Sequence, residues 1–159
     1  RGLDLEPAAF AAYEALTGAI AQRTGFLRHD GLMVGCSLDG HIGDFMGILE
    51  AKCPKSATHL RYLRAGVVPL EHLPQITHNL WVSGAEHCDF LSYDDRFPVP
   101  LQTFLVRVHR ADVDLSAYEQ KAWAFLAEVE TELTAIQTMA SPVTALKNSL
   151  ARREGGSDV

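Results

Sequence analysis

One stretch, Gly35–Pro54, with the sequence GCSLDGHIGDFMGILEAKCP, constrains the fold most, because its pattern predicts a β-hairpin. Apolar and charged residues alternate in its last part: Leu49, Glu50, Ala51, Lys52 and Cys53. Successive side chains of a strand point to opposite faces, so the apolar residues are expected to face a core and the charged pair the other side. The glycine-containing segment before this strand predicts a turn over Asp44–Gly47.

Asp39 is the second acidic residue of this stretch, and it precedes Gly40 at a predicted turn. The hairpin would bring its carboxylate beside Glu50. Two carboxylates that converge with a lysine suit a hard cation such as Mg²⁺, which takes oxygen ligands. The lysine would orient a metal-bound water or stabilise negative charge in a transition state. From spacing alone, a solvated hairpin with a charge pair is the alternative.

Composition narrows the class of protein. The chain has 159 residues, of which 47% are hydrophobic, enough for one domain with a real core. No apolar run is long enough for a transmembrane helix, and no signal peptide is visible. The net charge of −6 argues against a protein that coats nucleic acid nonspecifically, but it does not exclude a nuclease. The cysteines, Cys36, Cys53 and Cys88, indicate buried thiols in a reducing compartment.

The order of predicted elements favours an α/β domain with a mixed central β-sheet flanked by helices. Strands are predicted over Thr24–Arg28, Leu32–Cys36, Cys88–Tyr93 and Leu101–His109. Helices are predicted over Leu3–Gln22, from Ser56 as the N-cap to Arg64, and over Leu115–Met139. Another helix is predicted to begin between Pro69 and Pro74 and to end at Gly84. Pro142 is expected to end the last of these before a short helix, Val143–Arg153. Residues 1–153 are thus expected to form a single domain, with residues 154–159 as a frayed tail.

Four basic residues, Lys52, Lys55, Arg61 and Arg64, fall close together, with Glu50 as the opposing charge in that region. Two interpretations of this cluster are about equally supported: a local patch that binds nucleic acid, and a solvated helix face. Gln75 and Asn79 are four residues apart and share one helical face. Glu6 lies near the start of the first helix, where an acid interacts favourably with the helix dipole.

Four motifs occur in one order: GCSLDG, ILEAKCPKSATH, LPQITHNLWVSG and CDFLSYDDRFP. With the Arg-Gly-x₃-Glu pattern of Arg1, Gly2 and Glu6, they resemble the phage lambda exonuclease family, also called YqaJ-like viral recombinases. That family belongs to the PD-(D/E)xK nuclease superfamily, whose core is restriction-endonuclease-like. The resemblance runs from Arg1 to about Arg110.

The resemblance implies a role for each residue of the candidate site. Asp39, Glu50 and the backbone carbonyl of Ala51 would bind Mg²⁺, with Mn²⁺ as an alternative, and Glu6 would hold a second metal or its water. Lys52 would activate the attacking water, and Gln75 would support the lysine or the water. Lys55, Arg61 and Arg64 would then contact DNA.

The resemblance also implies a function and partners. The chain would be a metal-dependent exonuclease that degrades linear double-stranded DNA from the 5′ end in phage-type recombination. It would form a homotrimeric ring, work with a single-strand annealing recombinase, and act as a phage or prophage protein in the bacterial cytoplasm. A structure-selective endonuclease of the same superfamily and a non-catalytic DNA-binding subunit are the alternatives.

The chain departs from the family pattern in two places. Leu38 stands where the motif usually has proline before the metal-binding aspartate, and Gly40 still permits the turn. The sequence begins directly at the Arg-Gly motif, so the family's N-terminal helical region, which contributes to the DNA entrance, is expected to be absent. Activity and end preference would depend on that region.

Overall fold

The computed structural model describes residues 2–154 and the side chains of residues 4–139. The chain divides into two compact units, Arg1–Tyr118 and Glu119–Val159. Over the described residues, the strands are β1 (Ala21–Gln22), β2 (Phe26–Arg28), β3 (Gly35–Ser37), β4 (Gly40–Ile42), β5 (Gly47–Lys52), β6 (His87–Tyr93) and β7 (Thr103–His109). The helices are α1 (Gly2–Thr17), α2 (Ser56–Ala65), α3 (Leu73–Ser83) and α4 (Leu115–Glu154), and short 3₁₀ turns occupy Leu70–His72, Val99–Leu101 and Arg110–Asp112.

A five-stranded sheet with the order β1-β4-β5-β6-β7 forms the centre of the first unit, and β2 pairs with β3 in a separate two-stranded sheet. Strands β5 and β6 are parallel, whereas the other neighbouring strands are antiparallel. The predicted α/β fold with a mixed central sheet flanked by helices is therefore confirmed. Strand β5, which carries Glu50 and Lys52, lies in the middle of the sheet.

The predicted hairpin is formed by β4 and β5, with Gly40 opposite Leu49 and Ile42 opposite Gly47. Its turn covers residues 43–46, one residue earlier than expected. Gly43 has φ +58°, in the left-handed region that glycine adopts without a steric penalty. This register fixes which side chains of β5 face which side of the sheet.

Helix α1 covers one face of the sheet. Its buried residues Ala9, Phe10 and Tyr13 recur at helical spacing and pack with Leu49 and Leu91. Ala51 and Cys53 are packed against the same cluster, so the prediction that the apolar residues of β5 face a core is confirmed. Each large apolar side chain buried here contributes about 1.5–3 kcal/mol.

Helices α2 and α3 cover the opposite face. The ring of Tyr62 on α2 meets that of Phe90 on β6 edge-on, with centroids 5.9 Å apart. Ile76 and Leu80 of α3 are fully buried. Phe90 pairs in register with Glu50, and Ser92 with Lys52. Glu50 and Lys52 therefore belong to the face that α2 and α3 cover.

The first helix is shorter than predicted. It ends at Thr17 rather than Gln22, because Gly18 adopts φ +72° and its amide donates to the Glu14 carbonyl. Ile20, predicted on the apolar stripe of this helix, is 71% exposed. Pro7 lies within α1, in a position where the helix continues on both sides.

Helix α2 begins at Ser56, but Ser56 does not cap it. The N-cap residue is Lys55, and the hydroxyl of Ser56 donates instead to Asp94 Oδ2 at 2.7 Å. The prediction of a Ser56 cap was wrong because the buried carboxylate of Asp94 competes for the hydroxyl. Gly84 ends α3 as predicted, with φ +73°, and Gly66 ends α2 with φ +67°.

Helix α4 continues through Pro142 to Glu154, so the predictions of an end at Pro142 and of a separate helix over Val143–Arg153 were wrong. A proline removes one hydrogen bond, but a helix of 40 residues keeps many others on both sides. Residues 155–159 of the expected frayed tail lie outside the described residues. The assignment of 1–153 to one domain stays a prediction. No helix in the described part of the chain combines the length and the apolar character needed to cross a membrane.

Candidate active site

The hairpin brings two carboxylates together at the middle of the sheet. Asp39 lies between β3 and β4, and its Oδ2 accepts a hydrogen bond of 2.8 Å from the amide of Ala51. Glu50 is the residue before Ala51, and only 1% of it is exposed. The predicted convergence of Asp39 and Glu50 follows from the register of β4 against β5.

The surroundings of Glu50 oppose its negative charge. Burial raises the pKa of the Glu50 carboxyl, and the charge of Asp39 raises it further, while the hydrogen bond from Lys52 acts in the opposite direction. A nearby cation stabilises the ionised form of a buried carboxylate that lies beside a second one, because the two negative charges repel each other in a medium of low dielectric constant. The arrangement of the two groups thus favours binding of positive charge.

Lys52 supplies part of that charge. Its Nζ forms an ion pair with Glu50 Oε1, and it also donates to Gln75 Oε1 at 3.4 Å. The lysine side chain is 30% exposed, so it lies at the boundary between the buried carboxylate and solvent. The structure therefore brings Asp39, Glu50, Lys52 and Gln75 into one cluster.

This cluster fits a divalent cation of the hard class. Mg²⁺ is commonly held by only one or two carboxylates, with water and substrate phosphates completing its shell. Asp39 and Glu50 supply two such oxygens. Among the residues that the structure describes, no three Asp, Glu, His or Cys side chains are grouped to hold one ion, so the fit rests on these two carboxylates.

Glu6, the further predicted site residue, forms an ion pair with a basic residue. It lies on α1, and its Oε1 forms an ion pair of 3.0 Å with Arg23 Nη1. The structure does not bring Glu6 into a three-carboxylate group with Asp39 and Glu50. Its assignment as a ligand of a second metal stays a prediction.

The predicted basic cluster divides into two kinds of residue. Arg61 forms a 2.9 Å ion pair with Glu71 and lies over the ring of Tyr62, so Glu50 is not the only acid that opposes the cluster. Lys55 and Arg64 are exposed at the two ends of α2. We therefore expect these two cations to be more accessible to a polyanion than Arg61.

Asn79 is a site residue whose contact was missed from the sequence. It is 3% exposed, and its Nδ2 donates to Glu50 Oε2 at 3.2 Å. The spacing of Gln75 and Asn79 placed them on one helical face, but only the packing of α3 shows that this face meets β5. To predict the contact between Asn79 and Glu50, the sequence would have had to indicate which face of α3 is buried.

The burial of the cysteines agrees with the prediction from the sequence. Cys36 and Cys88 are buried, Cys53 is partly buried, and none of these three described cysteines forms a disulfide. Burial raises the pKa of Cys36 to about 11, and the charge of Glu50 adds to this rise. A thiol of this kind is inert as a nucleophile at neutral pH.

Comparison with known proteins agrees with this fold. The YqaJ-like viral recombinase domain matches residues 1–86. An alkaline exonuclease from Laribacter hongkongensis superposes with a TM-score of 0.83 at 37% identity, covering 90% of this chain and 74% of that one. A structure of LHK-Exo, the same exonuclease, in complex with dAMP gives a TM-score of 0.82 at 37% identity, with 90% and 73% covered. Among curated proteins, none matches the chain significantly.

The fold is that of a nuclease of the exonuclease class. The chain belongs to the YqaJ-like viral recombinase family, as the sequence motifs predicted. Residues 1–86 include Asp39, Glu50, Lys52 and Gln75, so the family match covers the whole cluster.

Proposed function

We propose that the chain is a Mg²⁺-dependent exonuclease that hydrolyses phosphodiester bonds of linear double-stranded DNA from the 5′ end, in phage-type recombination in the bacterial cytoplasm. The observation that carries this proposal is the cluster of Asp39, buried Glu50 and Lys52 on a fold shared at 37% identity with an alkaline exonuclease. That relative has been crystallised with dAMP, a mononucleotide of the kind that an exonuclease releases from DNA.

The chemistry divides between a bound ion and the residues of the chain. When bound, Mg²⁺ lowers the pKa of a coordinated water and offsets negative charge on the phosphate oxygens. Asp39 and Glu50 would hold it, with the Ala51 carbonyl as a further oxygen donor and Glu6 at a second position. Mn²⁺ has similar ligand preferences and is expected to substitute.

Lys52 has the role of orienting water and stabilising charge. Its ammonium lies beside Glu50 Oε1, where it can donate to the attacking water or to an equatorial phosphate oxygen. Gln75 accepts from Nζ and so restrains the position of the ammonium. This division leaves orientation of the water and stabilisation of phosphate charge to Lys52 Nζ, and binding of the cation to the carboxylates.

Linear and closed circular duplexes distinguish the exonuclease from the two alternatives. An exonuclease digests the linear DNA in Mg²⁺ and leaves the closed circle intact, whereas a structure-selective endonuclease also cuts circles that contain its target structure. A non-catalytic subunit binds both and cuts neither. Digestion restricted to linear DNA is the expected result, and cutting of the closed circle would contradict it.

The basic residues of α2 and of its N-cap lead to a prediction about DNA affinity. Replacing Lys55 or Arg64 by alanine should lower affinity similarly for all sequences and reduce the slope of log affinity against log salt by about one unit each, since each contact displaces a counterion from DNA. Arg61→Ala should have a smaller effect, because Glu71 already neutralises that guanidinium. Salt titrations by fluorescence anisotropy measure these slopes, and unchanged slopes would make all three ordinary surface charges.

Assembly is the remaining part of the proposal. An acidic chain with a small basic patch neutralises few phosphates. Processive digestion, in which the enzyme stays on one DNA through many cleavages, then needs topological retention or several patches facing one channel. A head-to-tail homotrimeric ring supplies such an arrangement, because heterologous contacts that close form rings. A single-strand annealing recombinase is the proposed protein partner. Sedimentation at micromolar concentration tests the ring, and processive digestion by a strict monomer would contradict it.

A further inference from the structure

The carboxylate of Glu50 is held from two sides. Lys52 approaches Oε1, and the amide of Asn79 donates to Oε2 at 3.2 Å. Asn79 is 3% exposed and lies on α3, one helical turn after Gln75. Burying an asparagine amide without a hydrogen bond lowers the stability of the folded chain. The contact with Glu50 Oε2 therefore holds both side chains in position.

The neighbouring residue anchors α3 to the strand that leads to Asp39. His78 Nε2 lies 3.1 Å from the carbonyl of Gly35 in β3, and Nδ1 lies 2.7 Å from the hydroxyl of Tyr118. Because a carbonyl only accepts, Nε2 carries the hydrogen and Nδ1 accepts from Tyr118. Adjacent residues of α3 thus contact the segment before Asp39 and the carboxylate of Glu50.

We propose that Asn79 is a positioning residue that fixes the rotamer of Glu50, so that its carboxylate is oriented for a divalent cation together with Asp39. The inference rests on the proposed function of this site. Groups that hydrogen-bond to a metal ligand reduce its freedom before the ion arrives, and their loss typically lowers metal affinity by about 10–100-fold. Asn79 acts through Glu50 and does not need to contact DNA.

Asn79→Leu tests the proposal, since leucine has a similar volume but no donor. Titration calorimetry with Mn²⁺ alone, without DNA, should give an affinity about 10–100-fold lower than that of the unsubstituted chain. In cleavage assays, raised Mg²⁺ should recover most of the rate, and the KM for DNA should be unchanged. Asn79→Ala provides a second variant without the donor if leucine does not fit the site.

Thr77→Val is the matched control. Thr77 lies on another face of α3, and its hydroxyl donates only along the helix, to the carbonyl of Leu73 at 2.8 Å. The substitution should change thermal stability slightly and leave Mn²⁺ affinity unchanged. An equal loss of affinity in Thr77→Val would mean that any disturbance of α3 has this effect, which would overturn the specific role of Asn79.

The outcomes separate the inference from the proposed function. Mn²⁺ binding of normal affinity by folded Asn79→Leu and Asn79→Ala would overturn the role of Asn79 and leave the nuclease proposal intact. Failure of the unsubstituted chain to bind Mn²⁺ would overturn both. Circular dichroism of each variant identifies those that are folded.

Discussion

Replacing Asp39 by asparagine or Glu50 by glutamine should lower the rate of DNA cleavage by about three orders of magnitude or more. Both substitutions keep the shape of the side chain but remove the charge that holds a divalent cation. The cation contributes several kcal/mol to charge stabilisation in the transition state, and each 1.36 kcal/mol corresponds to a tenfold change in rate. Single-turnover digestion of a linear duplex at saturating Mg²⁺ measures the effect.

Asp44→Asn is a suitable control, because Asp44 is an exposed carboxylate in the turn of the same hairpin. It should cleave DNA at nearly the rate of the unsubstituted chain. Near-normal hydrolysis by Asp39→Asn or Glu50→Gln would remove this cluster from consideration as the active site.

Glu50→Gln should also keep or raise the melting temperature at neutral pH. Since the folded-state pKa of Glu50 is raised, folding disfavours the ionised form relative to the unfolded chain, and ionisation above the unfolded pKa opposes folding. Glutamine removes that opposition. A variant that is inactive yet at least as stable would separate the chemical role of Glu50 from any role in folding.

The second large effect is expected for Lys52→Met, which should lower the cleavage rate by about 10²–10⁴-fold while metal and DNA binding persist. Methionine retains the length and the packing of the side chain but has no ammonium group. Lys55→Met is the matched control, because Lys55 is an exposed lysine three residues further along. It should alter DNA affinity without a comparable change in the rate at saturating DNA.

The separation of rate from affinity decides the role of Lys52. If Lys52→Met cleaves at the normal rate at saturating DNA and differs only in affinity, the lysine is a phosphate-binding group. That result would contradict its assignment to water activation.

The hairpin of β4 and β5 could be predicted from the sequence because the patterns that determine it are local. Alternation along β5 determines which side chains share a face, and the glycine-containing turn determines the register that brings Asp39 to Ala51. Both properties depend on residues no more than twelve positions apart. The positions of Asp39, Glu50 and Lys52 therefore followed from strand geometry.

Contacts between distant elements could not be predicted in this way. Asn79 meets Glu50 because α3 packs on β5, and Ser56 donates to Asp94 because α2 begins beside the end of β6. Glu6 pairs with Arg23, which no helical or strand periodicity indicates. Such pairs depend on tertiary packing, which overrides local preferences such as the capping tendency of serine.

Digestion of a linear duplex labelled at the 5′ or the 3′ end, with Mg²⁺ and with excess EDTA, tests directly whether the chain is a metal-dependent 5′ exonuclease. We expect rapid release of labelled mononucleotide from the 5′ end in Mg²⁺, slow loss of the 3′ label, and no release in EDTA. Release that persists in EDTA, or the absence of mononucleotide release in Mg²⁺, would contradict the assignment of Asp39, Glu50 and Lys52 to a metal-dependent exonuclease site.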